Sequence, residues 1–385
     1  MDDFLKKYRN QYRIWKNNRR LRHEDEFYQQ QLTRLGLQVP DEKELRRELN
    51  KRFPLPSAKA KGNLNIIALY HHYNWENFSL RPSLAKFGKV RHYDWFSPYN
   101  PLPENWHKQY RAAINKDLIN QVNKWITEEN ADVIFMYIAG EIVEPITLQI
   151  IRNQGVPMIN LTLNDKEHFV GRRKNGRAWG ARDICRYFDL CWTSTEDALK
   201  KYVVEGALPY YQPEGANPEI HKPYDLEKTI DVSFVGQCYG NRADVIKALQ
   251  RQGINVAAYG AGWPNGSLST EDMIKMYSRS KINLGFGGVA GLTDTFCLKG
   301  RDFEIPMSGG LYCTEDHPEL ARFFRPGEEI ITYRGTDDLI IKIRNYLDRP
   351  AEAETIRKKG HERALREHSW EARFEKIFRI LGILQ

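Results

Sequence analysis

At 385 residues and 45.1 kDa, the chain exceeds what one hydrophobic core usually sustains, so two domains are expected. Its 28% charged and 41% apolar residues are ordinary for a soluble globular enzyme. No apolar run is long enough to cross a bilayer, the N-terminus is polar rather than signal-like, and the five scattered cysteines include no Cys-x-x-Cys pair, which argues against zinc or redox chemistry and points to the cytoplasm.

The net charge of +8 is uneven. Residues 1–60 carry 15 Lys and Arg against 9 Asp and Glu, so a basic N-terminal extension holds most of the excess. Within it Phe4, Leu5, Tyr8, Tyr12 and Trp15 fall at near-helical spacing, and Gly36 to Pro40 marks a break. The stripe is expected to pack on the body or on a second copy of the chain. Tyr12 and Trp15 with their neighbouring cations also suit an anionic membrane surface, and a basic tail also suits nucleic acid or an acidic partner.

Pro54, Pro56 and Ser57 read as a linker. After it, Asn65–Tyr70 is a short apolar run typical of a buried first strand, followed by a loop with His71 and His72. Residues at the C-terminal ends of parallel strands face the ligand crevice, so these histidines are placed toward substrate; neighbours in a strand point opposite ways, which argues against a shared metal. Further strands are expected at Val90–Trp95, Asp132–Ile138, Pro157–Leu161, Phe188–Thr193 and Leu208–Gln212, with helices at Arg81–Gly88, Lys108–Glu129 and Glu144–Asn153. Strands alternating with helices, without period-2 patterning, predict a parallel sheet covered on both faces. Glu141, Asp165 and His168 follow such strands and are the candidates for catalysis.

A second series begins at Ile230. Asp231–Val235 reads as a strand, Gly236–Asn241 as a loop with Arg242 behind it, Val256–Tyr259 as a strand ending in Gly260, Gly262 and Trp263, and Ile282–Leu284 as another. The run Gly285, Gly287, Ala290 imitates a dinucleotide fingerprint, but Gly291, Thr293 and Asp294 do not continue as the helix a pyrophosphate would need. No Walker-type phosphate loop occurs, which argues against a P-loop kinase.

Then comes Lys299, Gly300, Arg301, Asp302, Phe303, Glu304, closed by Gly309 and Gly310. It reads as loop, helix and strand. Backbone N–H groups and the helix dipole favour an anion before the helix, and Lys299 and Arg301 add a point charge and a bidentate fork for phosphate. Glu304, one turn on, can accept two hydrogen bonds from a ribose diol.

This string, with His317, Pro318, Glu319, Leu320, Phe324, Gly327, Glu328 and Glu329, resembles the signature of the group 1 glycosyltransferases, and within them the CgeB-like branch. In that superfamily the second Glu of a Glu, seven residues, Glu motif holds the donor ribose, and Glu304 falls there. The first falls at Phe296. The resemblance implies an α/β fold of two Rossmann-like domains facing a cleft (GT-B type) with an N-terminal helical extension: residues 1–57 as extension, 58–222 as acceptor domain, 223–367 as nucleotide-sugar domain, and 368–385 as a helix crossing back to the first. It implies a cytoplasmic, metal-independent transferase with no cofactor besides the nucleotide sugar. Donor contacts are then expected at Gly236, Arg242, Gly260, Trp263, Lys299, Arg301 and Glu304, with Tyr259 also near the base. Alternatives are a non-catalytic nucleotide or carbohydrate-binding protein on the same scaffold, a transferase acting on nucleic acid, or a hydrolase built on Glu141, Glu144 and Asp165.

Overall fold

The computed structural model describes residues 2–53, 58–174, 176–289 and 295–385, and for residues 2–11 and 13 the backbone alone. The expected linker Pro54, Pro56, Ser57, the side chains of Phe4, Leu5 and Tyr8, and Ala290, Gly291, Thr293 and Asp294 lie outside that description. The chain divides into two compact units: residues 19–213 with 373–385, and residues 214–372 with the start of the first helix.

The first unit is a parallel sheet of six strands: β1 (Leu64–Tyr70), β2 (Gly88–Tyr93), β3 (Val133–Tyr137), β4 (Met158–Thr162), β5 (Leu190–Thr193) and β6 (Pro209–Tyr211), in the order β2-β1-β3-β4-β5-β6. Burial of β1 and β3 runs almost without alternation, because helices cover both faces. On one face lies the helix Trp370–Ile380, whose Phe374 meets Phe135 and Trp192 edge-on with ring centroids 5.2 and 5.4 Å away, while Phe378 meets Phe87 at 5.1 Å. The chain end stays there, since Leu384 pairs with Lys59.

The N-terminal extension is not a separate tail. It forms helices Asp2–Arg34 and Glu42–Arg52, broken at Gly36, where φ is +63°, and restarted by a capping box between Asp41 and Glu44. Tyr28 is 2% exposed, stands edge-on to Phe169 and donates its hydroxyl to Glu205 at 2.8 Å. Glu24 pairs with Lys201 at 2.9 Å, and Leu45 and Leu49 are buried. The expected boundary at residue 57 therefore gives way, because Tyr28, Leu45 and Leu49 are core positions of the first unit, although Phe27 and Leu35 beside them are exposed. Tyr12 and Trp15 are exposed.

The second unit holds five parallel strands, β7 (Ile230–Val235), β8 (Val256–Tyr259), β9 (Ser280–Leu284), β10 (Tyr312–Glu315) and β11 (Ile331–Tyr333), in the order β8-β7-β9-β10-β11. The strand order reverses between β7 and β9, which puts a ligand crevice beyond their carboxyl ends. Residues 214–217, expected in the first domain, group here because Ala216 exchanges backbone hydrogen bonds with His368 and Trp370 at 2.9 and 3.0 Å.

Candidate functional site

Two groups of residues gather at strand ends, one in each unit. In the second unit, the loops after β7, β8 and β9 are pinned to one another before any ligand is considered. Gly260, at φ +126°, lies where an added Cβ would sit 2.3 Å from the Gly236 carbonyl, and that carbonyl accepts the Trp263 indole N–H at 2.8 Å. Lys299 donates its ammonium to the carbonyls of Phe286 and Gly288 at 3.0 and 2.9 Å, while Glu315 accepts the Gly288 N–H at 2.8 Å. Asp316 pairs instead with Arg334.

On this frame the helix Gly300–Met307 starts. Its N-terminus is fastened by Asp302, 1% exposed, which accepts the Lys299 N–H at 2.6 Å and the Tyr312 hydroxyl at 2.5 Å. Arg301 is thereby thrown across the end of β7. An added Cβ on Gly236 would lie 2.5 Å from its Nη2, and its guanidinium stands 5.3 Å from the Phe234 ring centroid. Its Nη1 is buried without a hydrogen-bond partner among the described residues. A buried guanidinium donor with no acceptor is costly unless a ligand supplies one.

The other expected donor contacts sort differently. Arg242 is 3% exposed and donates to the Gln237 carbonyl at 2.8 Å and the Tyr239 hydroxyl at 3.1 Å, with its plane 4.0 Å from the Tyr239 ring. Burial, reinforced by nearby Arg301, lowers its pKa to about 10. It shapes the loop after β7 more than it faces a ligand. Lys299, whose pKa burial also lowers, does the same for the loop after β9. Gly236 and Gly260 permit close backbone approach, and Trp263 clasps them.

Glu304 is 20% exposed and looks out beside Gly300. A residue that sequence reasoning missed stands next to it. Glu214 Oε2 and Glu304 Oε1 both lie 3.1 Å from the point where a Cβ on Gly300 would be. Burial, then the charges of Glu304 and Asp302, push the Glu214 carboxyl up to about 8, with the Gly300 N–H and Arg301 pulling the other way. His221 Nε2 is 3.7 Å from Glu304. At Phe296, where the superfamily pattern has a glutamate, the ring lies flat on His317 with centroids 5.5 Å apart.

In the first unit a cavity of about 560 Å³ opens beyond β1, β3 and β4, at the reversal of that sheet's strand order. Its first wall is the loop after β1, drawn tight because one oxygen of buried Glu76 accepts the N–H groups of Tyr73, Asn74 and Trp75 at 2.9, 3.0 and 3.1 Å. Trp95, Tyr137 and Trp179 complete an aromatic lining, and Glu141, His168 and Arg172 supply polar edges. Glu141 Oε1 is 3.1 Å from Nε2 of His107, another residue that sequence reasoning missed; burial lowers the His107 pKa against the opposing charge of Glu141.

Asp165 does not belong to this cavity. It is fully buried, accepts the Tyr202 hydroxyl at 2.8 Å, and has its pKa raised by burial, so it cannot meet an acceptor and is withdrawn as a catalytic candidate. Glu144 accepts no role beside it, being 3.5 Å from Arg177 and 3.8 Å from Arg111. His71 bonds Asp94 at 2.8 Å and His72 sits 3.4 Å from Glu76; each orders a loop, and neither lines the cavity.

Residues 242–379 match a family model described as glycosyl transferase-like. No curated protein sequence matches the chain. Among solved structures, sucrose-phosphate synthase from Thermosynechococcus elongatus is similar in fold, with a TM-score of 0.59 at 14% identity over 83% of this chain and 99% of that one. Anabaena HepE in complex with UDP and glucose gives 0.55 at 10% identity over 84% and 100%. An α-glucosyltransferase bound to UDP and a mismatched 13-mer DNA gives 0.53 at 11% identity over 83% and 100%. The family match lies in the C-terminal part of the chain, from residue 242 on, and the likeness to these structures is one of fold.

Proposed function

We propose that the protein transfers a sugar from a nucleoside diphosphate donor to an acceptor hydroxyl, without a divalent cation, and that it stands nearest the CgeB-like branch of the group 1 glycosyltransferases. The observation that carries this reading is Arg301: a guanidinium held at a helix N-terminus over the end of β7, with one buried N–H left without an acceptor. A diphosphate oxygen there completes its hydrogen bonds. As the bond from the anomeric carbon to the diphosphate breaks, negative charge grows on that oxygen, and the fixed guanidinium stabilises it more than it stabilises the ground state.

Glu304, one turn along, receives the ribose hydroxyls. Lys299 and Arg242 keep the two flanking loops in place and lend positive field. The first unit's cavity receives the acceptor, with Glu141 accepting a hydrogen bond from the attacking hydroxyl and His168 beside it. Several structural neighbours carry UDP, which makes a uridine donor the first to try. The test is hydrolysis of a panel of nucleoside diphosphate sugars by the full chain, with and without a chelator. Turnover of at least one donor, insensitive to chelation, is expected; binding of nucleotide sugars with no turnover in any acceptor mixture points instead to a non-catalytic binding protein.

A further inference from the structure

The cavity of the first unit also says what kind of acceptor it takes, an inference that rests on the transferase reading above. Its walls are aromatic faces from three separate loops: Trp75 after β1, Tyr137 and Trp179 around the β3 end, and Trp95 after β2. Flat apolar faces of this kind suit a molecule with an apolar face and a polar rim. Polar groups stand at the edges: Glu141 with His107, Asn164, and the cations Arg172 and, over the Trp179 ring, Lys174.

Charge decides between acceptor classes. A nucleic acid or other polyanion needs several cations to meet its phosphates, each giving up a counterion. Among the described residues Arg172 is the one Lys or Arg in the lining, with the Lys174 ammonium 5.3 Å from the Trp179 ring centroid at its edge, and Glu141 stands against these two cations, too few for a run of phosphates. A peptide or nucleobase could lie on the aromatic faces, but neither offers a rim of hydroxyls to Glu141, Asn164 and the Trp95 indole N–H, which is buried with no acceptor in the protein. We infer that this cavity binds a neutral saccharide, stacked on Trp75 and Trp179, with one ring hydroxyl turned to the Glu141–His107 pair.

His107 is a positioning residue. Its burial, with Lys174 and Arg111 acting in the same direction against Glu141, favours the neutral imidazole, whose Nε2–H donated to Glu141 aims that carboxylate at the attacking hydroxyl. Proton and bond balance follow simply: the acceptor oxygen bonds to the anomeric carbon, the diphosphate takes the electron pair of the bond that breaks, and the acceptor proton passes to Glu141 and then to water.

The test uses tryptophan fluorescence of the full chain titrated with neutral methyl glycosides, with uronic acids, and with a single-stranded DNA oligonucleotide, alongside calorimetry with UDP, ADP and GDP. A saturable change with at least one neutral glycoside is expected, weakened about tenfold in Trp179→Ala and largely kept in Trp179→Phe, which retains a ring. Nucleoside diphosphate affinity should be the same in both variants, and a parent-like melting transition of the first unit confirms that they fold. His107→Gln should lower turnover with the acceptor and shift its pH profile while leaving glycoside binding near the parent value. Saturation by the oligonucleotide or the uronic acids alone, or by no glycoside, overturns the saccharide assignment while leaving nucleotide binding to judge the transferase reading separately.

Discussion

The two ligand-facing regions are built by opposite means. Around Arg301, a few contiguous residues carry the site: Lys299, Arg301, Asp302 and Glu304 sit within six positions, and the fold's task is to hold one short segment against the end of β7. In the first unit, the cavity draws single aromatic residues from loops a hundred positions apart, Trp75 to Trp179, and at its edge Glu141 is held by His107, many positions before it. A cradle for a fixed anion can be written as a local string, because a helix N-terminus and two cations already form most of it. A surface for a particular acceptor has to be assembled in three dimensions.

That contrast can be tested by breaking each side. The largest effect is expected from removing residues 1–53. Burial of Tyr28, Leu45 and Leu49 contributes about 1.5–3 kcal/mol for each apolar side chain, so the truncated protein should lose the cooperative melting of its first unit rather than only a change in association. Removal of residues 2–18 alone is the contrasting case. It should leave that melting transition in place, and calorimetric scans of both truncations decide the point.

Next in size is Arg301. Arg301→Ala should reduce donor turnover by about 100 to 1,000-fold, and Arg301→Lys should recover part of it, because the charge returns without the planar fork. Steady-state kinetics with the donor found by hydrolysis screening measures both. Away from the cavity lining, Asp165→Asn should leave turnover close to the parent value once its melting temperature is matched, since that buried carboxyl bonds Tyr202.

Glu304→Gln should weaken nucleoside diphosphate binding by about tenfold, the scale of a lost charged hydrogen bond, without shifting the melting temperature. A separate effect, on stability rather than binding, concerns its neighbour Glu214. A carboxyl raised to about 8 in the folded chain binds its proton more tightly folded than unfolded, so its contribution to stability is complete at acidic pH and fades as pH climbs through neutrality to about 8. Glu214→Gln should flatten that part of the stability profile; an unchanged slope in denaturant unfolding from pH 5 to 9 removes Glu214 as its source.

How much was legible follows from the same contrast. Asn65–Tyr70 and the strand within Asp132–Ile138 could be read from buried apolar runs, since parallel strands covered on both faces leave little alternation to misread. Arg301 and Glu304 could be read because their neighbours in sequence are their neighbours in space. Glu214 could not: it precedes the second sheet by many residues and reaches Gly300 only through the pairing of Ala216 with the segment at His368. Asp165 was misread because a carboxylate after a strand looks the same whether it turns to the crevice or, as here, inward to Tyr202. Tyr28 and Leu45 were not singled out, because charged neighbours on the outer faces of their helices mask the buried positions.

The central claim is that the segment from Lys299 to Glu304 holds a nucleoside diphosphate, and calorimetric titration of the parent and of the Arg301→Ala, Glu304→Gln double variant with UDP, ADP and GDP tests it most directly. The account predicts one site per chain for at least one nucleotide in the parent and loss of that site in the double variant, with its melting transition retained. Equal affinity in the two proteins would contradict it.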